Sequence, residues 1–182
     1  PSSYSQGSTE MIYLASPYMH ADPAVIERRV EIAAAVTMRM MNEGKRVYCP
    51  VVHGHSLQQI SEVAASEEAW VQHGLEMLAK CDSLVLLPLM GWTNSSGCFA
   101  ECTLADKLGK RMSVYQLDRN HPEQGMTYPK EHEIQKVFDG GQHFYLNERQ
   151  KHELYALFLE KQGYMKVADT IGKFFQQYPN HH

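Results

Sequence analysis

The run from Ser83 to Leu89 constrains the fold more than any other segment, because Leu, Val, Leu, Leu, Pro and Leu follow Ser83 with no charge among them. A strand with one wet face alternates polar and apolar residues. A continuous apolar run suits a strand covered on both faces, as in a parallel sheet flanked by helices. The segments around it repeat the theme. Met11 to Ala15 is a short apolar run closed by Ser16-Pro17 and reads as a first strand. Asp22-Pro23 then supplies an N-cap and a proline at the first helical position. Ile26, Val30, Ala33, Ala34, Thr37 and Met41 follow at helical spacing, and Gly44 closes a helix running from Pro23 to Glu43.

Arg46 to Val52 reads as a second strand, interrupted by Pro50 near its end. Ser66 caps another helix with Glu67 and Glu68 in its first turn, where the macrodipole favours acid. Its inward face is Trp70, His73 or Gly74, Met77, Leu78 and Cys81. Gly97 to Leu108 forms the next helix, with Gly109 after it, and Arg111 to Leu117 a fourth strand. The order βαβαβαβ predicts an α/β, flavodoxin-like three-layer sandwich with a parallel sheet. From 118 to 141 prolines and glycines predict a long loop with at most one helical turn, and His143 to Leu146 a short fifth strand. Asn147 caps a helix bearing Leu154, Leu157 and Phe158. After Gly163, Val167, Ala168, Ile171, Phe174, Phe175 and Tyr178 fall on one face of a last helix. The expected organisation is a polar, flexible leader over 1–10, one α/β domain over 11–146, and a C-terminal helical extension over 147–178 packed on the same domain. His181-His182 reads as the remnant of a tag.

Charge narrows the function. Seventeen Lys and Arg against 21 Asp and Glu leave −4, which argues against a nucleic-acid partner. No apolar run approaches the ~20 residues of a membrane span, so no membrane partner is expected. Pro1 to Glu10 has no signal-peptide core. Cys49, Cys81, Cys98 and Cys102 sit inside apolar segments, which predicts reduced thiols in a cytoplasmic protein. The Gly-rich dinucleotide fingerprint, the P-loop and the serine-hydrolase elbow are all missing.

In an open α/β sheet, ligands bind beyond the carboxyl ends of the strands. The residues there are Ser16 and Tyr18 after the first strand, and Pro50, His53 and His55 after the second. After the third come Gly91, Trp92, Thr93, Asn94, Ser95, Ser96 and Gly97, followed by Glu101 on the helix; Asp118, Arg119 and Asn120 follow the fourth. Asn94 to Gly97 opens a helix, so its free N–H groups and hydroxyls either bind an anion or merely cap the helix. Glu101 either points into the cleft, as a carboxylate beside an anion site, or outward into water. His53 and His55 flank a glycine in what reads as a loop. His73 reads as a packed or capping histidine first and a functional one second. Cys98 and Cys102, four apart on one helix, with His53-x-His55 nearby, are a weak metal signal, and no metal or other cofactor is expected.

Ile12-Tyr13-Leu14-Ala15-Ser16-Pro17, Cys81-Asp82 before the third strand, and Gly91-Trp92-x-x-Ser95-Ser96-Gly97-x-x-x-Glu101 resemble the nucleoside 2-deoxyribosyltransferase superfamily, in its bacterial and phage branches. Leu108-Gly109-Lys110 after the helix fits the same pattern, and the resemblance spans residues 11 to 117. It implies cleavage of the N-glycosidic bond of a (deoxy)nucleoside 5′-monophosphate, a small-molecule nucleotide, by a hydrolase or a base-exchanging transferase. It implies Glu101 as nucleophile, Tyr13 as the residue that orients it, and Ser95 and Ser16 on the phosphate or sugar. Tyr18, His53, His55, Gly91, Trp92, Asn94, Ser96 and Gly97 join them as substrate-binding candidates. Ser95 stands where free-nucleoside transferases carry an aspartate, which favours a phosphorylated substrate. The superfamily's base-binding acid has no clear counterpart; Trp70, Gln72 and His73 occupy that stretch, and His53, His55 or His73 are candidates for protonating the leaving base. A homo-oligomer is implied as well. The alternatives are a non-catalytic nucleotide sensor on the same fold and an NAD glycohydrolase.

Overall fold

The computed structural model describes residues 9–63, 65–115 and 145–181. Four strands, β1 (Met11–Ala15), β2 (Arg46–Tyr48), β3 (Ser83–Leu86) and β4 (Arg111–Val114), form an all-parallel sheet in the order β2-β1-β3-β4. Tyr13 pairs with Tyr48 on one side and Leu84 on the other, and Leu86 pairs with Val114. The helices are α1 (Pro23–Asn42), α2 (Pro50–Ile60), α3 (Glu67–Lys80), α4 (Ser96–Lys107), α5 (Glu148–Gln162) and α6 (Met165–Gln177). Together they make the α/β three-layer sandwich with C-terminal helices that the alternation of elements predicts.

Strand residues alternate between the two faces. Ile12, Leu14, Val85 and Leu87 pack under α1, through its Ile32, Ala33, Val36 and Met40. Tyr13, Ala15, Leu84, Leu86, Met112 and Val114 face the opposite layer of α3 and α4. All four residues of β3 are buried, as its unbroken apolar run requires. Helices α5 and α6 form a further layer outside α4. Phe158 of α5 stacks on Phe99 of α4 at 4.9 Å between centroids and meets Trp92 edge-on at 5.2 Å.

The caps follow the sequence. Asp22 accepts from the N–H of Ala24 at 2.9 Å, and Ser66 from that of Ala69 at 3.1 Å. Asn147 and Gln150 form a reciprocal capping box. The first helix ends at Asn42, with Glu43 as its C-cap and Gly44 beyond at φ +83°.

The second strand differs. It stops at Tyr48, and Pro50 is the first residue of a new helix, α2, rather than a break within a strand. A proline fits there because the first helical N–H needs no partner. His53 and His55 therefore sit on a helix and not in a loop. The expected strand Ser83–Leu89 ends at Leu86. Tyr145 and Leu146 are not strand, although the Leu146 N–H donates to the Met112 carbonyl at 2.7 Å. The leader over 1–8, the end of the fourth strand at 116–117, the loop over 118–141 and the start of the fifth strand at 143–144 lie outside the described residues. No helix among the described residues is long and apolar enough to cross a membrane.

Candidate functional site

The chain leaves β1 toward β2 through α1 on one face, and returns to β3 through α3 on the other. The carboxyl ends of β1 and β3 thus flank the switch point of the sheet, where doubly wound folds bind ligands. A cleft of about 560 Å³ opens there, within the range of small-molecule sites. Ser16 and Tyr18 line it after β1. Tyr48, Val51, Gly54, His55 and Gln58 come from the end of β2 and one face of α2, and Trp70, Val71, His73 and Gly74 from α3. Asn94, Ser95, Ser96, Gly97 and Glu101 come from α4 and the turn before it, and Ser61, Glu62, Val63, Ala65 and Glu67 line the cleft from the α2–α3 connection and the start of α3.

Of the residues singled out from sequence, Ser16, Tyr18, His55, Asn94, Ser95, Ser96, Gly97 and Glu101 meet in this one cleft. Gly91, Trp92 and His53 do not line it. Trp92 is 2% exposed and packed on Phe158, so its place is in the core. Gly91 serves the backbone: its φ is +85°, and a Cβ there would lie 2.8 Å from Nη2 of Arg29. His53 is exposed on α2, with its ring 5.9 Å from Tyr48 and stacked 6.2 Å from His73.

Glu101 is the inward-facing acid. A Cβ placed on Gly97 would be 3.8 Å from Ser95 Oγ and 3.9 Å from Glu101 Oε1, so carboxyl and serine border the same small residue. Tyr13 is fully buried below, and its hydroxyl reaches between Gly74 and Glu101. Tyr13 Oη and Glu101 Oε2 are buried, and neither makes a hydrogen bond of ordinary geometry to a described residue. They are still near enough to act on each other. Burial pushes the Glu101 carboxyl up to about 8, and the Tyr13 hydroxyl opposes that rise. Burial, then the Glu101 charge, raises the Tyr13 phenol well above its ordinary value. Burial thus favours the protonated form of Glu101 in the free cleft.

The α4 entrance carries the polarity of an anion site. Ser95 is the N-cap, and its Oγ accepts from the Cys98 N–H at 3.2 Å. Its own O–H remains a donor. The N–H groups of Ser96 and Gly97 belong to the first turn and lack intrahelical partners. The turn is held from outside the sheet: Gln162 Nε2 at the end of α5 donates to the carbonyls of Thr93 at 2.7 Å and Ser95 at 3.1 Å. A second clamp is buried. Arg29 Nη1 donates to Tyr18 O and Met19 O at 3.2 and 2.8 Å, and Nη2 to Met90 O at 2.8 Å. One guanidinium thereby ties the turn after β1 to the turn after β3.

His55 is held within its surroundings. Nδ1 lies 3.0 Å from the Tyr18 hydroxyl, Nε2 lies 2.8 Å from Gln59 Nε2, and Glu27 is 3.4 Å from that same nitrogen. Sequence reasoning missed α2 as a wall of the cleft. The signal was present: Val51, Gly54, His55 and Gln58 fall at i, i+3, i+4 and i+7, one face of a helix. Trp70, expected in the inward face of α3, instead borders the cleft, with its ring against Gly54 at 3.5 Å from that residue's would-be Cβ. Cys98 and Cys102 are buried in α4, and no group of three metal-ligating side chains occurs among the described residues.

Fold and site together define a doubly wound α/β protein with a carboxyl-bearing cleft at its switch point. Residues 10–117, more than half of the chain, match the family described as a domain of unknown function, DUF1937, and the chain belongs to that family. No curated protein matches it significantly.

Proposed function

We propose that the cleft cleaves the N-glycosidic bond of a (deoxy)nucleoside 5′-monophosphate, with Glu101 as nucleophile. The observation that carries this reading is one buried carboxyl, coupled to a tyrosine hydroxyl, bordering a ligand-sized cleft beside an open helix N-terminus. Breaking a C1′–N bond builds positive charge on the sugar, and a carboxylate at C1′ traps that charge as a glycosyl ester. The Tyr13 hydroxyl beside Glu101 orients the carboxylate once it forms, so less orientation is lost on reaching the transition state. The first turn of α4 and the Ser95 hydroxyl hold the phosphate. That remote anchor supplies binding energy for positioning the sugar. Water then releases the sugar phosphate, or a second base accepts it.

Glu101 must lose its proton before it attacks. Burial raises its pKa in the empty cleft, and a developing positive charge at C1′ lowers it again. The carboxyl is thus poorly stabilised as an anion until the transition state supplies the counter-charge. The resemblance to nucleoside 2-deoxyribosyltransferases supports the same assignment of Glu101 and Tyr13. The four free, buried cysteines support a reducing compartment such as the cytoplasm. Val63, 82% exposed at the cleft, and Ile60, 83% exposed at the end of α2, support a homo-oligomer; a monomer by light scattering at working concentration removes that part.

The test is a panel of nucleosides and their 5′-monophosphates, with release of free base read by chromatography. Release that disappears in Glu101→Gln with the fold intact supports the enzyme. Tight binding without release from any member points to a sensor on the same fold. Equal turnover of nucleoside and monophosphate removes the phosphate role of Ser95 and Ser16.

A further inference from the structure

The glycosidic bond has a second end. A neutral nucleobase is a poor leaving group until a proton reaches one of its ring nitrogens or carbonyl oxygens. Sequence alone left three histidines for that task, and the structure separates them. His53 does not line the cleft. His55 lines it, but both its ring nitrogens face partners, the Tyr18 hydroxyl at 3.0 Å and Gln59 at 2.8 Å. His73 lines the cleft, is exposed there, and has neither ring nitrogen in a hydrogen bond with a described residue.

Its position on α3 fits the chemistry. The next residue, Gly74, is the one that touches the Tyr13 hydroxyl, and that hydroxyl acts on Glu101. With C1′ against Glu101 and the 5′-phosphate on the first turn of α4, the base is left to the rest of the cleft, which α2 and α3 wall. Trp70, one turn before His73 on that helix and with its ring perpendicular to the imidazole at 6.4 Å, offers a flat apolar face for the base. The His53 ring stacks on that of His73 at 6.2 Å between centroids.

Building on the N-glycosidase reading, we infer that His73 is the general acid for the leaving base. As Glu101 forms its bond to C1′, the C1′–N pair moves onto the base and the imidazolium N–H of His73 gives the base its proton. Neutral His73 then takes a proton from the water, or the acceptor base, that displaces Glu101 from C1′. Proton and electron pairs balance over the cycle, and no co-reactant beyond that nucleophile is needed.

The test turns on leaving groups. Nucleoside 5′-monophosphates of adenine, guanine, cytosine, uracil and thymine need a proton as they depart. Nicotinamide mononucleotide, an N-ribosylpyridinium, leaves as a neutral pyridine and needs none. Both classes are assayed for base release with the wild type, His73→Gln and His73→Asn, with circular dichroism reporting the fold. The expected result is a fall of about 100-fold or more on the neutral-base substrates, with a change of less than about threefold on the pyridinium. Equal losses on both classes, or no loss on either, overturn the assignment. Cleavage of the pyridinium alone by the wild type overturns it too and leaves the N-glycosidase reading standing. Cleavage of neither class by the wild type removes both.

Discussion

The Tyr13 hydroxyl occupies the space that a side chain on Gly74 would fill: a Cβ there would lie 2.9 Å from Oη. Strand β1 can present its tyrosine to Glu101 only because α3 carries a glycine at that turn. Gly74→Ala forces the phenol aside, with an expected loss of about 1–3 kcal/mol in urea unfolding and a larger proportional loss of base release. Removing the oxygen relieves the crowding, so Tyr13→Phe combined with Gly74→Ala should be more stable than Gly74→Ala alone. A double variant no more stable than the single one breaks the link.

Glu101 makes stability depend on pH. Its carboxyl holds a proton to about pH 8 in the folded chain, against an ordinary carboxylate value near 4.5 once unfolded. The native state therefore binds the extra proton between those values, and native stability falls as pH rises across that window. Glu101→Gln lacks the group, so its Tm advantage over the wild type should be small at pH 5 and largest at pH 9. Parallel Tm curves for the two proteins would mean that the carboxyl is well solvated.

Under the N-glycosidase reading, the same carboxyl sets the acidic limb of activity. A nucleophile must be ionised, so on the pyridinium substrate, whose departure needs no acid, kcat/KM should rise with pH toward a limb near 8 in the free enzyme. A rate on that pyridinium that falls over the same range would count against Glu101 as the nucleophile.

Arg29 is 3% exposed and donates to three carbonyls in two turns. Burial lowers its guanidinium pKa, so the charge is held by backbone oxygens. Arg29→Met strands those oxygens and should cost about 3 kcal/mol or more by denaturant unfolding. Arg29→Lys keeps the charge but not the fork, and should recover only part of that loss.

Gln162 acts on the site from α5. Gln162→Glu replaces the donor amide with a carboxylate facing the carbonyls of Thr93 and Ser95. Affinity for a nucleoside 5′-monophosphate, measured by calorimetry, should fall by about fivefold or more, the worth of a hydrogen bond, while affinity for the parent nucleoside changes little. Equal losses for both ligands would place the effect outside the phosphate end.

The layers were legible in the sequence because burial leaves a periodic trace: the unbroken apolar β3, the stripe of α1, and the Asp22, Ser66 and Asn147 caps all appear where their residue types require. Helix α2 was harder to read. It buries only Val51 and Gly54, so the helical period barely registers, and Val51-Val52 beside a strand reads as more strand. Glu101 and the Ser95 turn were found because a carboxylate behind a helix start is an unusual pairing. Trp92 misled, since a tryptophan beside a functional turn can serve the core as well as a ligand. The Gln162 and Arg29 clamps left no local trace; each joins segments tens of residues apart, and only the folded chain brings donor to acceptor.

The shape of the α4 doorway is thus set partly by residues that the DUF1937 match over 10–117 does not contain. A change in α5 that removes the Gln162 amide therefore alters the α4 entrance without touching the sheet or Glu101.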